Sequence, residues 1–232
     1  MTGLLLFVAL IAADERTGVP TAAELAEMRR ACDEDGNGAG CNALGFRLAK
    51  GQGIAKDLAA ANALFKKACD LHDAFGCTNL GVGYANGDGV KQDLPRAIAL
   101  YRQACEAKER DPDGCGNLGA LYLDGIGVAQ DYRRAASLLK VACDAASVRG
   151  CSNLGLLYLD GLAVRKDARR AAALFKQGCD GGFVRGCYEL GELYVSGEGV
   201  KEDHDRATVL FKQACDGGEQ EACERLATRG KD

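Results

Sequence analysis

Apolar and small residues recur along this chain at helical spacing, in a pattern that returns six times. Each copy is anchored by a Cys: Cys41, Cys77, Cys115, Cys151, Cys187 and Cys223. Three positions on comes Leu (Leu44, Leu80, Leu118, Leu154, Leu190, Leu226), and then a small residue (Gly45, Gly81, Gly119, Gly155, Gly191, Ala227). Tyr84, Tyr122, Tyr158 and Tyr194 lie four after the Leu, with Leu48 in the first copy. Positions 0, +3, +4 and +7 share one face of a helix. A mid-helix Gly costs about 1 kcal/mol against Ala, so its recurrence predicts a neighbouring helix packed too close for a side chain.

Each of these helices runs into Gly-x-Gly-Val or a near match, at Gly51–Ile54, Gly87–Val90, Gly125–Val128, Gly161–Val164 and Gly197–Val200. The first Gly suits the left-handed position that closes a helix; Ala163 replaces the second in the fourth copy. Three residues later stands Asp57, Asp93, Asp131, Asp167 or Asp203, a strong N-cap, followed by helical apolar spacing up to the next Cys. Pro95 falls in a first turn, where it is tolerated. Thr21-Ala22-Ala23-Glu24 has the form of a capping box. The pattern predicts twelve short helices and no strand.

The first cysteines of successive pairs, Cys32, Cys69, Cys105, Cys143, Cys179 and Cys215, follow one another every 36–38 residues. Such a period means stacked helix-pair repeats. Two insertions, Asp33–Gly40 and Glu106–Gly114, fall between paired cysteines, as expected of loops between helix ends.

The pattern Gly-Cys-x-Asn-Leu-Gly-x-x-Tyr, Gly-x-Gly-Val, Asp-x-x-Arg-Ala and Lys-x-x-Cys resembles the Sel-one-like repeat, most clearly over residues 76–105, 114–143 and 150–179. With a Cys pair in every copy, the chain is similar to the cysteine-rich Hcp-type branch of that family. The resemblance covers about residues 25–229. It implies an all-α fold, a right-handed αα-superhelical solenoid of about six disulfide-stapled helix hairpins, with a concave face that binds partners. It also implies the pairings Cys32/Cys41, Cys69/Cys77, Cys105/Cys115, Cys143/Cys151, Cys179/Cys187 and Cys215/Cys223.

Composition supports disulfides over metal. Twelve Cys stand beside only two His, His72 and His204, at dissimilar repeat positions. Structural zinc sites space their ligands Cys-x2–4-Cys, whereas seven to nine residues separate the paired cysteines here. No Cys-x-x-Cys occurs, so a structural role is expected rather than a redox one. Disulfides need an oxidising compartment, and the N-terminus suggests one. Leu4–Ala12 is a short apolar run followed by Ala13 and then Asp14-Glu15-Arg16, the form of a secretory signal and its cleavage site. The expected organisation is a signal peptide at 1–13, a linker at 14–20 and one solenoid domain at 21–230. The expected location is the periplasm or the medium, without a membrane anchor once the signal is removed. A net charge of −4, seven Phe, seven Tyr and no Trp offer nucleic acid neither a basic field nor a stacking surface.

Two motifs suggest chemistry. Ser137-Leu138-Leu139-Lys140 matches the Ser-x-x-Lys of penicillin-binding enzymes, and the Hcp-type resemblance carries a β-lactamase association. However, Ser137 holds the place of Ala63, Ala99, Ala173 and Val209, which reads as packing against a neighbouring helix. Lys140 matches Lys66, Arg102, Lys176 and Lys212, a basic residue suited to a helix C-terminus. Neither Ser-Asp-Asn nor Lys-Thr-Gly accompanies the pair. Asp33-Glu34-Asp35-Gly36-Asn37-Gly38 matches half of an EF-hand loop, but position twelve is Leu44, a core residue. No cofactor and no metal are expected.

Asn79, Asn117 and Asn153 share one repeat position, two after the second Cys. They suit either an amide ladder on the concave face, holding a peptide backbone, or hydrogen bonding within the first helical turn. Arg149 and Arg185 precede Gly-Cys in two copies and read as solvated loop charges. The leading expectation is a non-enzymatic, monomeric exported scaffold binding a protein or peptide partner. The alternatives are a weak hydrolase of β-lactams or cell-wall peptides, and an assembly factor of a eukaryotic intermembrane space.

Overall fold

A computed structural model describes residues 19–229; the expected signal segment at 1–13 lies outside them. The described residues form twelve α-helices and no strand. They divide into two compact units, the first ending at Leu100 and the second beginning at Tyr101.

The first unit holds α1 (Ala22–Asp33), α2 (Gly38–Lys50), α3 (Leu58–Asp70), α4 (Ala74–Asn86) and the start of α5 (Leu94–Glu106). Consecutive helices from α1 to α4 pack on one another, and α2 also touches α4. Its core is Ala61, Phe65 and Leu80, flanked by Leu48, Tyr84 and Leu100. The second unit holds the end of α5, then α6 (Pro112–Asp124), α7 (Tyr132–Asp144), α8 (Val148–Asp160), α9 (Ala168–Asp180), α10 (Val184–Ser196), α11 (His204–Asp216) and α12 (Gln220–Arg229). Here too consecutive helices from α6 to α12 pack in sequence, while α8 touches both α6 and α10. Phe175 and Phe211, both fully buried, centre two of its core clusters. Each unit is therefore a solenoid-type stack of helix hairpins.

The local signals act as their chemistry requires. Asp57, Asp93, Asp131, Asp167 and Asp203 each accept from a backbone N–H in the first turn of the following helix. Their own N–H groups donate to the carbonyls of Leu48, Tyr84, Tyr122, Tyr158 and Tyr194, so each cap is tied to the preceding helix. Thr21 and Glu24 form the capping box. Gly51, Gly87, Gly125, Gly161 and Gly197 close their helices in the left-handed conformation. Ala163 adopts that conformation too, at φ 56°.

The recurrent glycines mark close approaches. A Cβ on Gly45, Gly119, Gly155 or Gly191 would come within 2.6–2.8 Å of Phe65, Leu139, Phe175 or Phe211 on the next helix. A second set, Gly76 and Gly150, faces the Cβ of Ala68 and Ala142 at 2.5–2.6 Å. These precede the second Cys of a pair and let the two helices meet. Six disulfides then join α1 to α2, α3 to α4, α5 to α6, α7 to α8, α9 to α10 and α11 to α12, with Cα–Cα distances of 4.5–4.8 Å. No cysteine among the described residues is free.

Candidate partner-binding face

From α2 to α10 the even-numbered helices bury positions 0, +3 and +4, counted from their Cys, and leave −2, +2 and +5 exposed or half-buried. Asn79, Asn117 and Asn153 lie at +2 on α4, α6 and α8, each half-buried. In the first unit Asn79 Nδ2 donates to Asn42 Oδ1 of α2 at 2.8 Å. In the second, Arg149 of α8 donates to Asn117 Oδ1 of α6 at 3.4 Å. Two of the three amides are thus held by a side chain about one repeat away, not by their own first turn. Phe46 and Phe75 stand on the same side of α2 and α4, 42% and 51% exposed.

Arg149 and Arg185 lie in the first turns of α8 and α10 rather than in loops; Arg149 is exposed as expected, and Arg185 is half-buried. The Arg149 guanidinium also lies 5.7 Å from the Phe183 ring centroid. Arg185 binds Glu189 at 2.8 Å, Glu221 at 2.7 Å and Glu219 at 3.3 Å. Partial burial opposes its charge, but Glu189 and Glu221 outweigh that and hold its pKa above the ordinary value. Burial pushes Glu189 above the usual carboxylate range despite the pull of Arg185. Arg225 pairs with Glu192 beside them. In the fifth and sixth copies the position of the Asn ladder is held by Glu189 and Arg225, so there that face is closed by ion pairs.

Sequence reading did not connect the Tyr of each helix with the Arg three residues after the next Asp. Arg96, Arg134 and Arg206 donate to the hydroxyls of Tyr84, Tyr122 and Tyr194, each at 3.3 Å, and pair with Asp93, Asp131 and Asp203. Arg170 stacks over Tyr158 at 4.4 Å. The signal was the fixed interval of twelve residues between Tyr and Arg in four copies. These clusters hold the loop that follows each even-numbered helix; the guanidinium groups are already engaged.

The chemical motifs separate into ordinary helix parts. Ser137 is exposed on α7, as Ala63, Ala99, Ala173 and Val209 are on their helices, which corrects the expectation that this position packs against a neighbour. Alanine is common there because it favours helix, not because space is short. Lys140 Nζ binds Asp144 at 2.5 Å, an i,i+4 pair repeated by Lys66–Asp70 and Lys176–Asp180. In the EF-hand-like stretch, Asp33 pairs with Lys67 and Asn37 caps α2. No cluster of three or more potential metal ligands occurs among the described residues. None of their helices is long and apolar enough to cross a membrane.

The Sel1 repeat profile matches residues 38–73, 74–108, 112–147, 148–183 and 184–219. In that register each matched repeat carries the second Cys of one pair near its start and the first Cys of the next near its end, so a disulfide bridges every junction between successive matched repeats. Among solved structures, the Sel1 repeat protein of Oxalobacter formigenes is 28% identical, with a TM-score of 0.74, over 88% of this chain and 81% of that one. The protein c5321 of uropathogenic Escherichia coli, described as a protective antigen displaying an SLR fold, is 32% identical with a TM-score of 0.66. That match covers 86% of this chain but 42% of c5321. Cysteine-rich protein B of Helicobacter pylori is 34% identical over 60% of this chain and 99% of that one, with a TM-score of 0.46. No curated protein gives a sequence match. With five matched repeats covering well over half of its length, the chain belongs to the Sel1 repeat family.

Proposed function

We propose that the chain is an exported, monomeric scaffold that binds protein or peptide segments at its Asn positions, Asn79 on α4 of the first unit and Asn117 and Asn153 on α6 and α8 of the second. On this reading residues 1–13 are a removed signal peptide, 14–20 a linker and 21–230 the binding domain. Six disulfides point to an oxidising environment, which supports export to the periplasm or the medium.

The observation that carries the proposal is the treatment of the amides. Asn79 and Asn117 are half-buried and each is oriented by a neighbour about one repeat away, while part of their hydrogen-bonding capacity faces outward. An amide offers both a donor and an acceptor, the complement of an extended backbone. Holding it beforehand lowers the entropy lost on binding. Asn79 in the first unit, and Asn117 with Asn153 in the second, would each offer a donor and an acceptor to such a backbone.

The test is the triple variant Asn79→Ala/Asn117→Ala/Asn153→Ala in oxidised protein, compared with wild type against peptides selected from a random library. Affinity should fall by well over tenfold, while stability changes by no more than about 2–3 kcal/mol, since such bonds are worth roughly 0.5–1.5 kcal/mol each. Unchanged affinity would reduce the amides to structural hydrogen bonding.

A further inference from the structure

The loops that follow the even-numbered helices, with the first turns they lead into, differ in charge from copy to copy. Residues 51–60 and 87–96 balance basic against acidic side chains, and residues 197–206 carry four acidic residues against two Lys or Arg. Residues 125–134 and 161–170, both in the second unit, hold six Arg or Lys and two Asp. In a chain of net charge −4 this is a segregated basic edge. The loop tips change with it. Where other copies place Gln52, Asp88 and Glu198 after the first loop glycine, these two carry Ile126 and Leu162. Ile126 is 46% exposed and Leu162 is half-buried.

The packing of successive loops makes the edge continuous. A Cβ on Gly199 would run into the backbone of Ala168 and Arg169, and one on Gly89 into that of Leu58 and Ala59. Each such loop therefore sits on the start of the odd-numbered helix before it. The same register sets the loop of Ala163 beside the start of α7, into which the loop of Ile126 leads. Lys166 reaches the next loop through Glu198 at 3.0 Å. Arg134 is held by Asp131 and Tyr122, and Arg170 stacks on Tyr158. Arg133, Arg165 and Arg169 are exposed, and their guanidinium groups make no ion pair or hydrogen bond among the described residues. Arg133 and Arg169 stand at the second position of α7 and α9, where the helix dipole disfavours a cation. Lys140 and Lys176, near the opposite ends of the same helices, are placed with the dipole and paired. Folding alone gives no reason for the unpaired arginines.

We propose that this edge docks the protein on an anionic membrane surface. Arg133, Arg165 and Arg169 would meet lipid phosphates, and Ile126 and Leu162 would reach the boundary of the acyl chains. Cations gain from the negative potential of such a surface, and apolar side chains beside them gain from burial beneath the headgroups. A soluble polyanion would use the arginines but not the exposed isoleucine, which decides for the membrane. The edge consists of loops and first turns and includes neither Asn117 nor Asn153, so the proposal is independent of the peptide-binding reading.

The test is flotation of full-length oxidised protein with vesicles of phosphatidylglycerol and phosphatidylcholine in equal parts, against vesicles of phosphatidylcholine alone. Wild type should prefer the anionic vesicles at about 0.01 M salt and lose that preference near 1 M, as the Debye length falls from about 30 Å to about 3 Å. Arg133→Gln/Arg165→Gln/Arg169→Gln should weaken binding to the anionic vesicles by roughly a hundredfold, each cation near such a surface contributing about fivefold. Ile126→Gln/Leu162→Gln, with every charge kept, should weaken it by about tenfold. Thermal midpoints should stay within a few degrees, since these are surface positions outside the core. All variants carry the same N-terminus, so differences between them report on the edge. A wild type without preference for anionic vesicles, or a preference kept by the triple Arg variant, overturns the proposal. It is equally overturned if Ile126→Gln/Leu162→Gln binds as wild type does and inorganic polyphosphate displaces the protein from vesicles, because the edge would then be a site for soluble polyanions.

Discussion

Gly155 of α8 lies beneath the ring of Phe175 of α9, so close that a Cβ there would stand 2.7 Å from Cε1. Phe175 is fully buried and cannot swing away. Two effects oppose each other in Gly155→Ala. Helix propensity favours Ala by about 1 kcal/mol, while overpacking a tight core costs about 1–3 kcal/mol. The net expectation is destabilisation of up to about 2 kcal/mol, read as a lower urea midpoint under oxidising conditions. A stabilised variant would mean that the two helices separate easily at this contact.

Ala163 makes the opposite case. It occupies the left-handed region at φ 56°, where four sister copies place Gly53, Gly89, Gly127 and Gly199. That conformation costs a residue with a Cβ about 1–2 kcal/mol, and Gly returns about 0.4–1 kcal/mol through its freer unfolded state. Ala163→Gly should therefore stabilise by about 0.5–1 kcal/mol, measurable as a raised thermal midpoint. A loss of stability would show that the Ala163 methyl makes a favourable contact.

The fold was largely legible because its signals are local. Caps at Asp57 or Asp203, left-handed glycines at Gly87 or Gly161, and the Leu–Gly–Tyr face all act within one or two turns. What stayed hidden acts across one repeat. Arg185 meets Glu219 and Glu221, and Arg149 meets Asn117, at separations of 32–36 residues. Such contacts emerge only once even-numbered helices are known to touch. Ser137 misled for another reason: a column of alanines records helix propensity as readily as burial. The seating of Asn62 against Gly83 was hidden because it joins two compensating departures from the repeat on different helices.

Glu189 predicts a pH dependence at the end of the second unit. Burial raises its folded pKa, with Arg185 pulling down and Glu192 and Glu221 pushing up. A carboxyl whose folded pKa exceeds its unfolded value gives its full stabilisation below the unfolded pKa, about 4.3, and loses it as pH rises through the folded pKa. The stability of wild type relative to Glu189→Gln should therefore decline from about pH 4 toward neutrality. Paired denaturation curves across that range check the sign. A relative stability that rises with pH would mean that the Arg185 pairing dominates.

Two surfaces of the second unit are candidates for a partner. The even-numbered face carries Asn117 and Asn153, while a groove of about 440 Å³ between α9 and α11 carries Val209, 66% exposed. Hydrogen–deuterium exchange of the full-length oxidised protein, with and without a selected peptide, distinguishes them most directly. The scaffold account predicts new protection on α4, α6 and α8, around Asn79, Asn117 and Asn153, with α9 and α11 unchanged. Protection confined to α9 and α11 around Val209, with the three Asn-bearing helices exchanging as before, would contradict it.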